Sequence, residues 1–264
     1  MKEEMSPSCV LLVLSFLYKE IRSFPAFVLL AIFSLFVLPK LSFFGPLTEP
    51  TSPAQPKSIV VENIDTVIHE NSIDIVARVR NPNPRAGTPE YTVTFVLFDE
   101  ADHELKRIEE RTYLLPGSLN YLTRLDVPTS SSVSRVAVEI PQQPIFAVVP
   151  PSISLPTFNS FLRDRTTIPL GARQVEVQKG IVTNTGTLGW RRVDITGVAF
   201  DAEGKVVGIG QTFIGEFAVG EQREFTIQWP APTTPTQRVI VLPATNVFRA
   251  DNVLSVVGDP NLLR

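Results

Sequence analysis

The chain has 264 residues, 44% of them hydrophobic and 19% charged, with 23 Pro, two His, one Cys and a formal charge of −3. Neutralising a phosphate backbone needs a surplus of Lys and Arg, so this balance excludes nucleic acid as the expected partner. A single cysteine excludes a disulfide framework and every multi-cysteine metal or redox motif, and so few histidines leave little for zinc or imidazole chemistry.

The hydrophobic residues are unevenly spread. From Phe24 to Phe44 the chain reads FPAFVLLAIFSLFVLPKLSFF, in which 16 of 21 residues are apolar and Lys40 is the one charge. About 20 apolar residues cross a bilayer as a helix, the form that satisfies every backbone group within the segment. Residues 24–44 are therefore expected to be a transmembrane helix, with Pro25 near its start, Pro39 near its end and Lys40 reaching for the interface. The residues that follow, Gly45 to Glu49, lack a small-residue cleavage pattern, so the segment reads as an uncleaved anchor. Upstream, Cys9–Tyr18 is too short to span and is expected to lie in the interface or lengthen the anchor, within a cytoplasmic or interfacial segment 1–23. Lys2, Lys19 and Arg22 before the span, against Lys40 and Lys57 after it, favour a cytoplasmic N-terminus and an exported remainder. The only cysteine precedes the span, so the exported part folds without regard to the redox state outside. Residues 45–57 hold four prolines in 13 positions, a stiff spacer of polyproline II character.

After residue 58 short alternating runs bounded by Gly, Pro, Asn and Asp replace this texture, the signature of β-structure. Two halves align. ARVRN (77–81) matches GIVTN (180–184), FVLFD (95–99) matches GVAFD (197–201), and RVAV (135–138) matches RVIV (238–241). The first and last of these pairs share an offset of 103 residues. Six or seven short strands per copy predict a mainly β chain: two tandem immunoglobulin-like β-sandwiches, at 58–141 and 169–252, after the N-terminal transmembrane helix. Residues 142–168 read as a Pro-rich, semi-rigid connector in which Phe158–Arg163 forms a short helical turn, and 253–264 as a C-terminal tail.

The strand ending in Asn81, the Phe95-x-Leu97-Phe98-Asp99 run and the Asp201-x-x-Gly204-Lys205-Val206-Val207 turn resemble the FxLYD family of small exported β-sandwich domains. The second copy departs from the name-giving motif, with Gly197 and Ala199 at its first two positions. The whole layout is similar to a family of single-anchor membrane proteins of candidate-phyla-radiation bacteria, in which paired domains end in a T-N-V-F segment, here Thr245–Phe248. That resemblance, over most of residues 24–252, implies an exported pair of sandwiches and carries no assigned activity; the Cys-rich insert common in that family has no counterpart at 45–57. Asn81-Pro82-Asn83 also resembles the late-embryogenesis-type β-domains, in the first copy alone.

Candidate chemistry is sparse. Asp99, Glu100, Asp102, His103 and Glu104 crowd one hairpin; Asp99, Asp102 and Glu104 are the candidate ligands for a hard cation, beside the plainer reading of a solvated tip. His69 and His103 fall in different turns, and no nucleophile elbow or phosphate loop is present. Glu109 and Glu110 are adjacent on a strand and point to opposite faces, so they cannot act as a carboxylate pair. Trp229 aligns near Val127 and reads as packing, whereas Trp190, Arg191 and Arg192 are the candidates for an exposed partner contact. The expected function is non-catalytic: an anchored, exported interaction or structural module, with the bilayer as one partner through residues 24–44 and a protein or envelope polymer as the other. No cofactor and no small-molecule substrate are expected. The alternative is an accessory subunit of a membrane secretion, pilus or transport complex, with residues 9–44 making specific helix contacts.

Overall fold

A computed structural model describes residues 55–129, 132–140, 144–150, 154–171 and 173–254. Among them no helix is long and apolar enough to cross a membrane; the expected span at 24–44, most of the spacer and the tail from residue 255 lie outside the described residues.

The described chain is mainly β. Its first half comprises β1 (Val60–Ile68), β2 (Ser72–Arg80), β3 (Ala86–Phe98), β4 (Glu104–Leu114), β5 (Leu119–Pro128), β6 (Arg135–Glu139) and the short β7 (Ala147–Val148). The second half comprises β8 (Phe158–Leu170), β9 (Arg173–Asn184), β10 (Trp190–Phe200), β11 (Val206–Phe217), β12 (Gln222–Pro230) and β13 (Arg238–Ala244), followed by a 3-10 turn at Ala250–Asn252. All strand pairs are antiparallel, in sheets ordered β1-β2-β5, β4-β3-β6, β8-β9-β12 and β11-β10-β13. The repeat read from the sequence is thus a repeat of topology, strand for strand.

Alternation drives each pair of sheets together. In the first half Ile73, Ile75, Ala77 and Val79 of β2 face Val93, Phe95 and Leu97 of β3, and all are buried in one core. In the second half Val182 of β9, Val193 and Ile195 of β10, and Phe225, Ile227 and Trp229 of β12 form the equivalent core. The last strand of each half is interrupted in the same way. β6 and β7 lie along one side of β3 at its two ends, and β13 and Val253 do the same along β10.

Two expectations are corrected. Phe158–Arg163 is not a helical turn: it opens β8, which pairs with β9 from Phe158 to Leu170, so the connector ends before residue 158. Phe158 and Leu162 pack into the second core, and the alternation of Phe158, Ser160 and Leu162 decides for the strand. Nor are the sandwiches separated by a semi-rigid connector. The outer face of β1-β2-β5 packs on the outer face of β11-β10-β13 through a third buried cluster of Val76, Val198, Phe200, Val206 and Ile209, with Val67, Tyr121, Leu125 and Ile240 at its margin. Each fully buried side chain of this kind contributes about 1.5–3 kcal/mol, so four sheets form one stack from residue 56 onward.

The T-N-V-F segment closes the stack at one end. Val247 is buried in the second core, while Phe248 lies so close to Gly87 of the first half that a Cβ there would sit 2.7 Å from its ring. Asn246 Nδ2 donates to the Pro89 carbonyl at 3.2 Å, a second tie between the halves.

Candidate functional site

The motif residues hold turns. Asp99 Oδ1 accepts from the backbone N–H groups of Ala101 and His103, both at 2.9 Å, and Asp201 Oδ1 accepts from Glu203 and Lys205 at 3.1 and 2.8 Å. The fourth residue of each turn takes a left-handed backbone, Asp102 at φ 63° and Gly204 at φ 81°. The His103 N–H, with the imidazole and the Ala101 N–H, holds the Asp99 carboxyl below the usual carboxylate range. The hairpin does not gather ligands. Asp102 pairs with Arg135 and Glu104 with Arg107, each drawn to its own guanidinium, and no group of three or more His, Cys, Asp or Glu among the described residues could hold a metal ion.

Asn81 and Asn184 have matching work at the ends of β2 and β9. Asn81 Nδ2 donates to the carbonyls of Ala86 and Leu115 at 2.8 and 2.9 Å; Asn184 Nδ2 donates to those of Leu188 and Phe217 at 2.9 and 3.3 Å. Their Oδ1 atoms accept from the N–H groups of Asn83 and Gly186 at 3.0 and 3.1 Å. Both side chains are buried, so each clamps two loops by satisfying carbonyls that water cannot reach. Asn83 extends the clamp to the start of the domain, exchanging two bonds with the backbone of Lys57.

Of the predicted partner contact, Arg191 and Arg192 are exposed and Trp190 is not. The Trp190 ring is 1% exposed in the second core. Residues read from the sequence as tail cover it: Val253 bridges to Trp190, and Leu254 donates its N–H to the Gly189 carbonyl. The two arginines line a cleft of about 640 Å³ between the halves, with Arg111, Tyr113, Asp194 and Arg249. Arg192 Nε donates to Asp194 at 2.7 Å while its guanidinium lies 4.4 Å from the centre of the Phe213 ring. Arg111 pairs with Glu90 and Arg249 with Asp251, so cations and anions alternate along the cleft. Burial, reinforced by Asp194, pushes the Tyr113 hydroxyl well above its ordinary pKa.

Two buried carboxylates had no sequence signature. Glu176 on β9 accepts from Trp229 Nε1 at 2.9 Å and Thr236 Oγ1 at 2.6 Å, and pairs with Arg165 Nε at 3.0 Å. Asp74 accepts the Asp126 N–H at 2.6 Å and meets His69 Nε2 at 2.8 Å, pinning the irregularity where β2 pairs β5. Their partners come from 5 to 60 residues away, and only the fold brings them together. Glu109 and Glu110 separate as expected, opposite Thr94 and Val93.

No family model matches the chain, and no curated protein is similar to it. Among solved structures it overlaps a red sea bream transglutaminase at 12% identity and a TM-score of 0.25, over 71% of this chain and 29% of that one. It overlaps an anti-sigma factor domain-containing protein at 14% identity and a TM-score of 0.19, over 68% of this chain and 82% of that one. The chain thus spans under a third of the transglutaminase, and at such scores neither neighbour bears on its activity.

Proposed function

We propose that the chain is a single-pass membrane protein of the cell envelope that presents two tandem immunoglobulin-like sandwiches of FxLYD type as a non-catalytic interaction or structural module. Residues 24–44 anchor it with the N-terminus in the cytoplasm, and residues 45–57 hold the stacked pair off the bilayer. The observation that carries this reading is the apolar run of 16 in 21 residues leading through a proline-rich spacer into a β-stack. Its conspicuous polar side chains support a structural role: Asp99 and Asp201 are spent on backbone groups of their own turns, and Asn81 and Asn184 on those of their own and a neighbouring loop.

The single cysteine makes the topology testable. In Cys9→Ser/Ala202→Cys, the new thiol sits on an exposed hairpin tip. A membrane-impermeant maleimide added to intact spheroplasts is expected to label this variant and to leave the native Cys9 unlabelled until lysis. Labelling of Cys9 alone in intact spheroplasts, or of position 202 only after lysis, would refute the reading.

A further inference from the structure

The cleft beside Arg191 and Arg192 continues past Tyr113 and Asp194 into a second hollow of about 400 Å³. Its walls are β4 and β5 of the first half and β10, β11 and β13 of the second. Neither half forms it alone; the stack creates it.

The lining is selective. Arg111, Arg192 and Arg249 are paired with Glu90, Asp194 and Asp251. The remaining charged side chains of the two hollows are one of each sign, Arg191 and Glu110. Such a balance gives no field to draw in a polyanion or a polycation. Nor is this an apolar slot, because Asn120, Thr196 and Gln211 place amides and a hydroxyl between the charges. Aromatic side chains stand on both walls, Tyr113 and Tyr121 from the first half and Phe213 from the second. The Arg192 guanidinium lies 4.4 Å from the centre of the Phe213 ring, yet Phe213 is 58% exposed, so one face is taken and the other is open.

One polar group of the lining is unspent. Glu110 Oε2 is shut off from water without a hydrogen-bond partner among the described residues, and Arg124 stays 3.7 Å away. A buried carboxylate oxygen left unpaired costs the fold free energy, and burial raises the Glu110 pKa in keeping with that. A donor that arrives with a ligand accounts for its retention at the edge of a cleft.

A sugar chain matches all of these features. Its hydroxyls donate and accept at once, its rings offer apolar C–H faces to aromatic side chains, and it needs no net charge. We infer that the cleft between the two sandwiches binds a neutral oligosaccharide, with one ring on the open face of Phe213 and a hydroxyl donating to Glu110. The proposal rests on the reading of the chain as a non-catalytic interaction module and gives that module its ligand class.

Calorimetric titration of the full chain, in a polyoxyethylene detergent that carries no sugar, tests it. The probes are cellohexaose and chitohexaose, with a heparin hexasaccharide as the sulfated comparison. At least one neutral hexaose is expected to bind more tightly than the sulfated one, with the same affinity at low and high salt. Phe213→Ala is expected to weaken that binding about tenfold, the scale of one aromatic contact, while melting like wild type. Glu110→Gln is expected to weaken it as well while making the fold more stable, a combination that a merely structural role would not produce. Phe161→Ala removes an exposed ring from β8, outside the cleft lining, and is expected to leave binding unchanged. Binding of neither neutral hexaose, tighter binding of the sulfated one, or equal losses in Phe213→Ala and Phe161→Ala would overturn the inference. A hexaose that binds and is recovered as shorter sugars would support the site and overturn the non-catalytic reading.

Discussion

Gly208 on β11 faces Trp229 across the second sandwich, and adding one methyl group there tests the packing of that core. A Cβ at position 208 would lie 2.2 Å from Trp229 Cδ1, 2.5 Å from Nε1 and 2.7 Å from Cγ. The ring must withdraw by about 1 Å to regain van der Waals contact, and overpacking of this kind costs about 1–3 kcal/mol. The ring is also tethered, because its Nε1–H donates to buried Glu176 at 2.9 Å, and a hydrogen bond to a charged group is worth about 1.5–3 kcal/mol. Gly208→Ala is therefore expected to destabilise by about 3–4 kcal/mol, a drop in Tm of roughly 10 °C for a domain pair of this size. Both tryptophans lie in the second core, so fluorescence-monitored urea unfolding reads the right half. Gly204→Ala is the control: it has open space but a φ of 81°, and its cost is confined to backbone strain of about 1 kcal/mol. A Gly208→Ala variant within 0.5 kcal/mol of wild type (a limit of roughly the size of ordinary surface substitutions) would refute this account of the core.

The matching clamps at Asn81 and Asn184 predict matching losses. Asn81→Ala and Asn184→Ala each strand two carbonyls and a backbone N–H, with an Nδ2–H of Asn83 lost besides at position 81, and each is expected to cost about 2–3 kcal/mol in denaturant unfolding. Glu110→Gln is expected to act in the opposite direction. Desolvation at the edge of the first sandwich, only partly offset by Arg124, raises the Glu110 pKa, so its ionised form disfavours the folded state at neutral pH. The substitution should stabilise at pH 7, and the gain should vanish as pH falls below the ordinary glutamate range, where the carboxyl is protonated in both states. A pH series of thermal melts checks the sign.

Much of the fold was legible because a half-buried strand writes its period into the chain. Ile73, Ile75, Ala77 and Val79 alternate cleanly on β2, and Tyr91, Val93, Phe95 and Leu97 do so on β3. β8 escaped notice because Arg163, Asp164 and Arg165 break its alternation where the register shifts, and because Pro169 resembles linker chemistry. The stack itself could not be read: Val76 and Val198 lie on the faces that an isolated sandwich would turn to water, and burial on both sides of a sheet erases alternation. Trp190 was misjudged for a related reason, since the strand covering it resumes only at Val253, after an interruption that looks like the end of the domain.

The second copy's departure from the Phe95-x-Leu97-Phe98-Asp99 motif of the first has its explanation in core volume. Phe95 and Leu97 point into the first core from β3, whereas Gly197 and Ala199 stand at their places on β10. The missing bulk comes from the opposite sheet. Ile227 of β12 fills the space over Gly197 and Gly210, where a Cβ would lie 2.9 and 2.5 Å from its side chain, and Trp229 fills that over Gly208. In the first half the strand equivalent to β12 carries Leu122 and Val127 inward, smaller groups that suit the large side chains on β3. A core must be filled to near crystalline density, but either wall can supply the atoms. The aromatic position of the motif is thus half of a pair, free to empty only where the facing strand grows. Restoring the motif by Gly197→Phe should therefore fail alone and require loss of bulk at Ile227 and Trp229, because the two walls share a single volume.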